Sequence, residues 1–183
     1  FNLGTAACDA WARDDPQRIA IIEVDENGRS VHHDYRALAQ CSARMSHALA
    51  ARGIALPRTP EMPDRVGVLL PQCLETAAAH IAITRMGGIS LPLFTLFGPE
   101  ALCHRLRDSG ARALITGAPS LDTLSKIIGQ LPDLKLILCK NLPAGEAERF
   151  PGVELVDLDA DCRIRADAYP AVQTKADDPA VII

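Results

Sequence analysis

The chain has 183 residues, of which 48% are hydrophobic and 23% are charged, and its formal net charge is -4. This length and composition suffice for the core of one large domain or of one and a half small ones. The slightly acidic balance argues against nucleic-acid binding, which requires a clustered basic face. No apolar run reaches the roughly 18 residues of a membrane-spanning helix, and no signal peptide is present. We therefore expect a cytoplasmic protein with no nucleic-acid partner and no membrane span.

The first third of the sequence predicts a helix, a hairpin and a second helix. A short amphipathic helix behind Thr5, a candidate N-cap, is indicated by apolar residues at every fourth position: Leu3, Ala7 and Trp11. Apolar runs at 19–24 and 30–35 flank an Asn-Gly turn, which is typical of a β-hairpin. A helix is predicted from Tyr35 to a C-cap at Gly53.

Beyond that helix, a stretch with three prolines, Leu56 to Asp64, predicts a surface loop. Short apolar runs then alternate with helical patterns. The runs predict strands at 66–70, 89–94, 113–116, 134–139 and 153–156. The helical patterns cover 74–86, 99–110 and the segment that follows Ser120, a second candidate N-cap. This alternation implies right-handed crossovers and a mostly parallel sheet with helices on both faces. The predicted fold class is α/β, with a small N-terminal helix and a β-hairpin added.

Cysteine and histidine placement argues against a metal or catalytic centre in this chain. Six cysteines lie 23 to 36 residues apart without a CxxC pair, which favours reduced thiols over a disulfide framework or a zinc site. Adjacent His32 and His33 would point to opposite faces of a strand. His104 lies one helical turn from Glu100, a spacing typical of a surface pair. The glycine-rich phosphate loops and the nucleophile elbow of many α/β enzymes are absent. We therefore predict no catalytic residue and no metal ligand here.

Several short motifs occur in a fixed order along nearly the whole chain. They are Phe1-Asn2-Leu3 with Asp9 and Trp11; Tyr35 and Leu38 with Gly53-Ile54; Asp64-Arg65-Val66-Gly67-Val68 with Pro71 and Glu75; Arg85-Met86-Gly87-Gly88 through Pro92-Leu93-Phe94 to Pro99-Glu100, Leu106, Asp108-Ser109 and Leu114-Ile115-Thr116; and Asp177-Asp178-Pro179-Ala180-Val181-Ile182-Ile183. Their order and spacing resemble the N-terminal part of the adenylate-forming enzymes, most of all the acyl-CoA synthetases of the short- and medium-chain group. In two respects the chain departs from that pattern: Gly88 replaces the commoner alanine, and the proline loop is longer.

The resemblance implies an AMP-forming ligase. In that family a carboxylate attacks the α-phosphate of ATP to give an acyl-adenylate and pyrophosphate, and the thiol of CoA then displaces AMP. ATP, Mg²⁺ and CoA would serve the full-length enzyme, with a small carboxylic acid as substrate. The phosphate-binding loop and the catalytic residues of the family would lie beyond Ile183. We therefore expect residues 1–183 alone to be inactive and to bind none of these ligands tightly.

The closing segment, Asp177 to Ile183, resembles the strand directly before the phosphate-binding loop of the family. Residues 1–183 are thus expected to be the N-terminal fragment of the large adenylate-forming domain, without the C-terminal domain. An unpaired apolar strand end invites association edge to edge. The chain could therefore dimerise through this edge.

One loop is expected to touch a ligand. Phe94-Thr95-Leu96-Phe97-Gly98 resembles the loop that lines the pantetheine tunnel for CoA in acetyl-CoA-synthetase-like members. Phe94 and Phe97 could wall an apolar channel, whereas Thr95 and Leu96 stand where relatives often carry glycine and would narrow it. The alternative is that both aromatic rings belong to the core at the sheet edge.

Two other functions stay open at the level of the sequence. The first is an adenylation domain with a different acceptor, of the peptide-synthetase or luciferase-like kind. The second is a stand-alone α/β domain with a binding or scaffolding role, which the exposed β-branched residues at the chain end disfavour.

Overall fold

The computed structural model describes residues 1–54 and 63–183, so the predicted proline loop lies almost entirely outside the described residues. The helices are α1 (Ala10–Asp14), α2 (Tyr35–Ala50), α3 (Leu74–Arg85), α4 (Pro99–Asp108), α5 (Leu121–Ile127) and α6 (Leu158–Arg163). The strands are β1 (Ile19–Val24), β2 (Ser30–Asp34), β3 (Arg65–Leu69), β4 (Ile89–Pro92), β5 (Ala113–Gly117), β6 (Leu136–Lys140) and β7 (Glu154–Asp157). A π-helical turn at Thr5–Asp9 leads into α1.

A five-stranded parallel sheet forms the centre of the fold. Its strand order is β4-β3-β5-β6-β7, and β1 and β2 form a separate antiparallel hairpin. In register, Val66 of β3 lies between Ser90 of β4 and Ala113 of β5. The prediction of an α/β fold with a parallel sheet, flanking helices and an N-terminal hairpin is confirmed.

Strand alternation divides the apolar side chains between two cores. In β5, Ala113 and Ile115 face the core built with α2, α3 and α6, whereas Leu114 faces the core built with α4 and α5. Both faces of the sheet are buried, which explains why these strands appear in the sequence as continuous apolar runs. Each large side chain buried in this way contributes roughly 1.5–3 kcal/mol.

The N-terminal segment is fixed by Asn2 and not by Thr5. The Asn2 side-chain oxygen accepts a hydrogen bond from the Thr5 backbone N–H at 3.1 Å. Its amide nitrogen donates to the carbonyl oxygens of Thr84, Arg85 and Val172 at 3.2, 3.1 and 2.9 Å. Asn2 therefore caps the first helical turn while joining the end of α3 to the segment near residue 172. The expectation of a Thr5 cap was wrong.

Other expectations differ from the structure in smaller ways. Ser120 makes no side-chain cap hydrogen bond. Strand β4 ends at Pro92, two residues before the predicted end. Helix α6 was not predicted. All six cysteines are free thiols, as expected. In the part of the chain that the structure describes, no helix is both long and apolar enough to cross a bilayer.

The chain end lies along the edge strand β4. Val181 forms a single parallel bridge with Ser90. The Ser90 N–H donates to the Ala180 carbonyl oxygen at 2.8 Å, and the Ile182 N–H donates to the Ser90 carbonyl oxygen at 3.0 Å. The predicted strand at the chain end is thus reduced to one bridge, and association through this edge stays a prediction.

A histidine–serine pair ties β4 to α3. The His80 Nδ1 and Ser90 Oγ atoms lie 2.6 Å apart, and Ser90 is completely buried. Burial lowers the pKa of His80 below its ordinary value because desolvation penalises the charged imidazolium. Because Ser90 is completely buried, the pair fastens the edge strand β4 to α3.

We predict that Gly4→Ala destabilises the fold. A Cβ at Gly4 would lie 2.9 Å from the Ile81 carbonyl oxygen and from the Arg85 backbone nitrogen, so the backbone of α3 would have to move. Such overpacking costs about 1–3 kcal/mol in the free energy of unfolding, measurable by urea titration. Gly129→Ala is the control, because a Cβ there meets no atom within 4 Å. Equal stabilities of the two variants would contradict the close approach.

We also predict that stability falls on mild acidification through His80. Its pKa is depressed in the folded state, so below the ordinary value near 6.5 the unfolded chain binds the proton more readily. This contribution is complete above that pH and is lost as the pH falls, with a slope of at most about 1.4 kcal/mol per pH unit. Urea unfolding between pH 7.5 and 5 measures it. His80→Asn should flatten the profile, whereas His104→Asn on the exposed side of α4 should not. Superimposable profiles for wild type and His80→Asn would refute the assignment.

Candidate functional site

The carboxyl ends of the five parallel strands all lie at one end of the sheet, which we call its carboxyl edge. It is distinct from the lateral edge formed by strand β4. In open α/β sheets ligands bind outside the carboxyl edge. Two features occupy it here: the loop that follows β4, and a cavity between α2, α3 and α6.

The loop after β4 contains every residue that the sequence analysis assigned to a ligand. The Leu93 N–H still donates to the Val68 carbonyl oxygen at 2.9 Å, and the chain leaves the sheet directly afterwards. Phe94 is 62% exposed and Leu96 is 96% exposed. Thr95 and Gly98 are also exposed, whereas Phe97 is half-buried against the core of α4 and α5. The alternative that both aromatic rings are core therefore applies to Phe97 only in part and to Phe94 not at all.

Aromatic contacts give this loop a defined shape. The Phe97 N–H donates to the Phe94 carbonyl oxygen at 3.0 Å, which closes a tight turn. The two rings pack edge to face, with centroids 5.4 Å apart and planes at 86°. The Arg105 guanidinium carbon lies 4.2 Å from the centroid of the Phe97 ring. Two aromatic side chains and a cation from α4 thus form one stack at the exposed edge.

Helix α4 begins directly after the loop. Gly98 is its N-cap residue and Pro99 occupies the first turn, with no side-chain cap hydrogen bond. Proline suits this position because its missing N–H would be unpaired there in any case. The amino end of the helix therefore presents backbone N–H groups and partial positive charge close to the exposed aromatic rings.

A cavity of about 440 Å³ lies between α2, the first turn of α3 and α6. Its apolar wall comes from α2 and α6 and includes Met45 and Leu158, and its polar wall includes Glu75 and Asp159. Lys140, the last residue of β6, forms an ion pair with Glu75 in the first turn of α3. The pair joins two elements 65 positions apart in the sequence.

Burial and pairing act in opposite directions on this ion pair. Desolvation is the largest single effect on Glu75 and raises its pKa, but the hydrogen bonds from Lys140, from its own backbone N–H and from Cys73 outweigh it together with the charge of Lys140, so that the pKa is lowered overall. Desolvation is likewise the largest single effect on Lys140 and lowers its pKa, but the hydrogen bond to Glu75 and the nearby negative charge, that of Glu75 foremost, together outweigh it, so that this pKa is raised. Both groups therefore remain charged at neutral pH. Neither is suited to act as a general acid or base.

Two thiols line the same cavity. Burial raises the pKa of Cys41 and of Cys162 to about 12 each. At neutral pH both are protonated and therefore poor nucleophiles. Among the described residues, no group of three or more His, Cys, Asp or Glu side chains could hold a metal ion. The cavity thus combines charged walls with two protonated thiols.

Sequence reasoning proposed the loop as a ligand contact, which stays a prediction, and missed the Lys140–Glu75 pair. The signal was available: Glu75 follows one predicted strand closely, and Lys140 directly follows another. The carboxyl ends of all parallel strands in one sheet lie on the same side, so residues after them can meet, here across the intervening strand β5. Strand order, which the sequence did not specify, decides which of these ends are close.

Comparison with known proteins gives concordant results. The model of the AMP-binding enzyme family matches residues 8–183. An acetyl-coenzyme A synthetase of Alkalilimnicola ehrlichii is 27% identical over 176 residues, which is 91% of this chain and 26% of the relative. The acetyl-coenzyme A synthetase of Salmonella typhimurium is 33% identical over 117 residues, 63% of this chain and 17% of the relative.

Solved structures share the fold. A Brucella canis acyl-CoA synthetase superimposes with a TM-score of 0.79 at 24% identity. The alignment covers 99% of this chain and 30% of the synthetase chain. The anthranilate CoA ligase AuaEII, solved with anthranoyl-AMP, gives 0.77 at 21% identity, with 99% and 31% covered. The chain thus spans about a quarter of the length of the curated relatives it matches.

Proposed function

We propose that this chain, which belongs to the AMP-binding enzyme family, is the N-terminal part of the large domain of an AMP-forming acyl-CoA ligase. One observation carries the proposal: the family match extends over residues 8–183. Acetyl-coenzyme A synthetases that align with 91% of the chain point to the same chemistry. In this proposal the phosphate-binding loop follows Ile183, and a separate C-terminal domain completes the enzyme.

The proposed reaction has two steps. A carboxylate oxygen bonds to the α-phosphorus of ATP while the bond to the bridging oxygen breaks, which releases pyrophosphate. The sulfur of CoA then bonds to the acyl carbon, loses its proton and displaces AMP. Mg²⁺ would neutralise phosphate charge in the full enzyme. Since the described residues offer no metal-binding cluster, we assign it no ligand in this chain.

The part of this chain in the reaction is to build the scaffold and to contact the thiol substrate. We assign the pantetheine arm of CoA to the loop of Phe94, Thr95, Leu96, Phe97 and Gly98. Support comes from the exposed Phe94 ring and from the amino end of α4 beside it. An apolar face next to backbone N–H groups suits an arm that alternates methylene and amide groups.

The substrate class is a small carboxylic acid, and the cytoplasm is the proposed location. Peptide-synthetase-type and luciferase-like acceptors have less support, because acetyl-coenzyme A synthetases are prominent among the similar proteins. A stand-alone scaffold has less support still, since the chain aligns with only a quarter of those enzymes.

We predict that the full-length protein shows continuous release of AMP from ATP only when both a carboxylic acid and CoA are present. The measurement is a coupled AMP assay over a panel from acetate to octanoate and benzoate. Residues 1–183 alone should release none. Acid-dependent exchange of pyrophosphate into ATP without any CoA-dependent turnover would move the protein to the alternative acceptors. Absence of both activities would contradict the proposal.

We further predict that Leu96→Gly lowers the KM for CoA in the full-length enzyme. Leu96 is 96% exposed at the tip of the loop, so ligand binding must immobilise it. Ordering such a side chain costs about 0.5–1.5 kcal/mol, which corresponds to roughly 2- to 10-fold in KM. Pyrophosphate exchange, which needs no CoA, should be unchanged. Ile164→Gly, an equally apolar residue that is 79% exposed on another surface, serves as the control. An unchanged KM for Leu96→Gly would remove Leu96 from the site.

A further inference from the structure

The exposed aromatic loop is held from one side by a residue of α4. Phe97 contacts the Phe94 ring through its own ring and receives the Arg105 guanidinium at 4.2 Å from its centroid. A cation over an aromatic face is attracted by the negative face of the ring. Phe97 is therefore fixed between Phe94 and Arg105.

The orientation of Arg105 favours this role over a direct ligand contact. Its Nη1 donates to the Ala101 carbonyl oxygen at 3.3 Å, one turn earlier in α4. Among the described residues Arg105 forms no ion pair with an acidic side chain. The exposed guanidinium thus contacts both its own helix and the ring of Phe97.

A loop of exposed residues needs such support to present a constant surface. Phe94 is 62% exposed, and among the described residues its ring packs against Phe97 while the turn hydrogen bond joins the two residues. If Phe97 changed rotamer, the Phe94 ring would lose its packing partner. Holding Phe97 therefore keeps the Phe94 face in the orientation that the pantetheine arm would meet, and lowers the entropic cost of binding.

We propose that Arg105 is a positioning residue for the thiol substrate, acting through Phe97 on Phe94. This inference rests on the proposed function, since it concerns the loop assigned there to CoA. It adds a residue outside that loop and a physical role for it. It also excludes a direct contact between Arg105 and the phosphate groups of CoA.

The test compares two thiols in the full-length enzyme. Pantetheine carries the arm but lacks the nucleotide and the phosphates of CoA. Positioning predicts that Arg105→Met raises the KM for CoA and for pantetheine by the same factor, roughly 2- to 5-fold for an exposed cation–π contact. The kcat and the pyrophosphate exchange should stay at wild-type values. Arg105→Lys, which keeps a cation, should restore most of the loss.

Matched variants separate the possible results. Arg107→Met removes the same charge from the exposed side of α4 without touching Phe97 and should change neither KM. A rise in KM for CoA alone would assign Arg105 to a phosphate contact and overturn the proposal, as would identical behaviour of Arg105→Met and Arg107→Met. If Arg105→Met melts early, Arg105→Gln provides a second truncation for the same comparison. Wild-type enzyme without CoA-dependent AMP release would refute the proposed function itself, a result distinguishable from either of these.

Discussion

A buried guanidinium organises the N-terminal half of this fold. Arg85, the last residue of α3, is only 1% exposed. Its Nε donates to Asp9 at 3.0 Å, and its Nη2 donates to Asp9 again and to the Ser42 hydroxyl at 2.8 Å. Nη1 has no partner among the described residues, so this one ion pair carries most of the compensation for burying the charge. Breaking such a pair from one side typically costs about 3–5 kcal/mol. The Arg85 side chain therefore joins the N-terminal segment, α2 and α3 through one buried guanidinium.

The position of the candidate site depends on the contacts of Arg85. Helix α3 ends at Arg85, Gly87 turns the chain with a φ of 74°, and β4 begins two residues later. Strand β4 in turn leads into the loop of Phe94 and Phe97. Asn2 reinforces the same place, since its amide bonds the carbonyl groups of Thr84 and Arg85. Tertiary contacts near the amino end of the chain thus fix where an exposed loop almost a hundred residues later emerges.

Local patterns predicted the elements whose causes are local. The strands of the central sheet are buried on both faces, so each appears as an apolar run, and their alternation with helices gave the α/β class. The cap at the N-terminus could not be predicted in the same way. Thr5 and Asn2 can both cap a helix, and the choice is made by Val172, which lies 170 positions from Asn2. Helix α6 has six residues, half of them charged, and is held by Asp157 at its start and by Arg52 paired with Asp161. Neither the contact between Asn2 and Val172 nor the polar contacts of α6 leaves a periodic apolar pattern in the sequence.

The candidate site lies where strand periodicity ends, which is why the sequence could locate the loop without assigning its surfaces. Within β4 the alternation determines which side chains are buried. After Leu93 the chain leaves the sheet, and the rule no longer applies to Phe94 and Phe97. Their different burial depends instead on α4, which covers one ring and leaves the other exposed. Exposure of an aromatic ring beside a helix amino end is therefore a property of the packed structure, and it is this property that makes the loop suitable for contact with an apolar ligand arm.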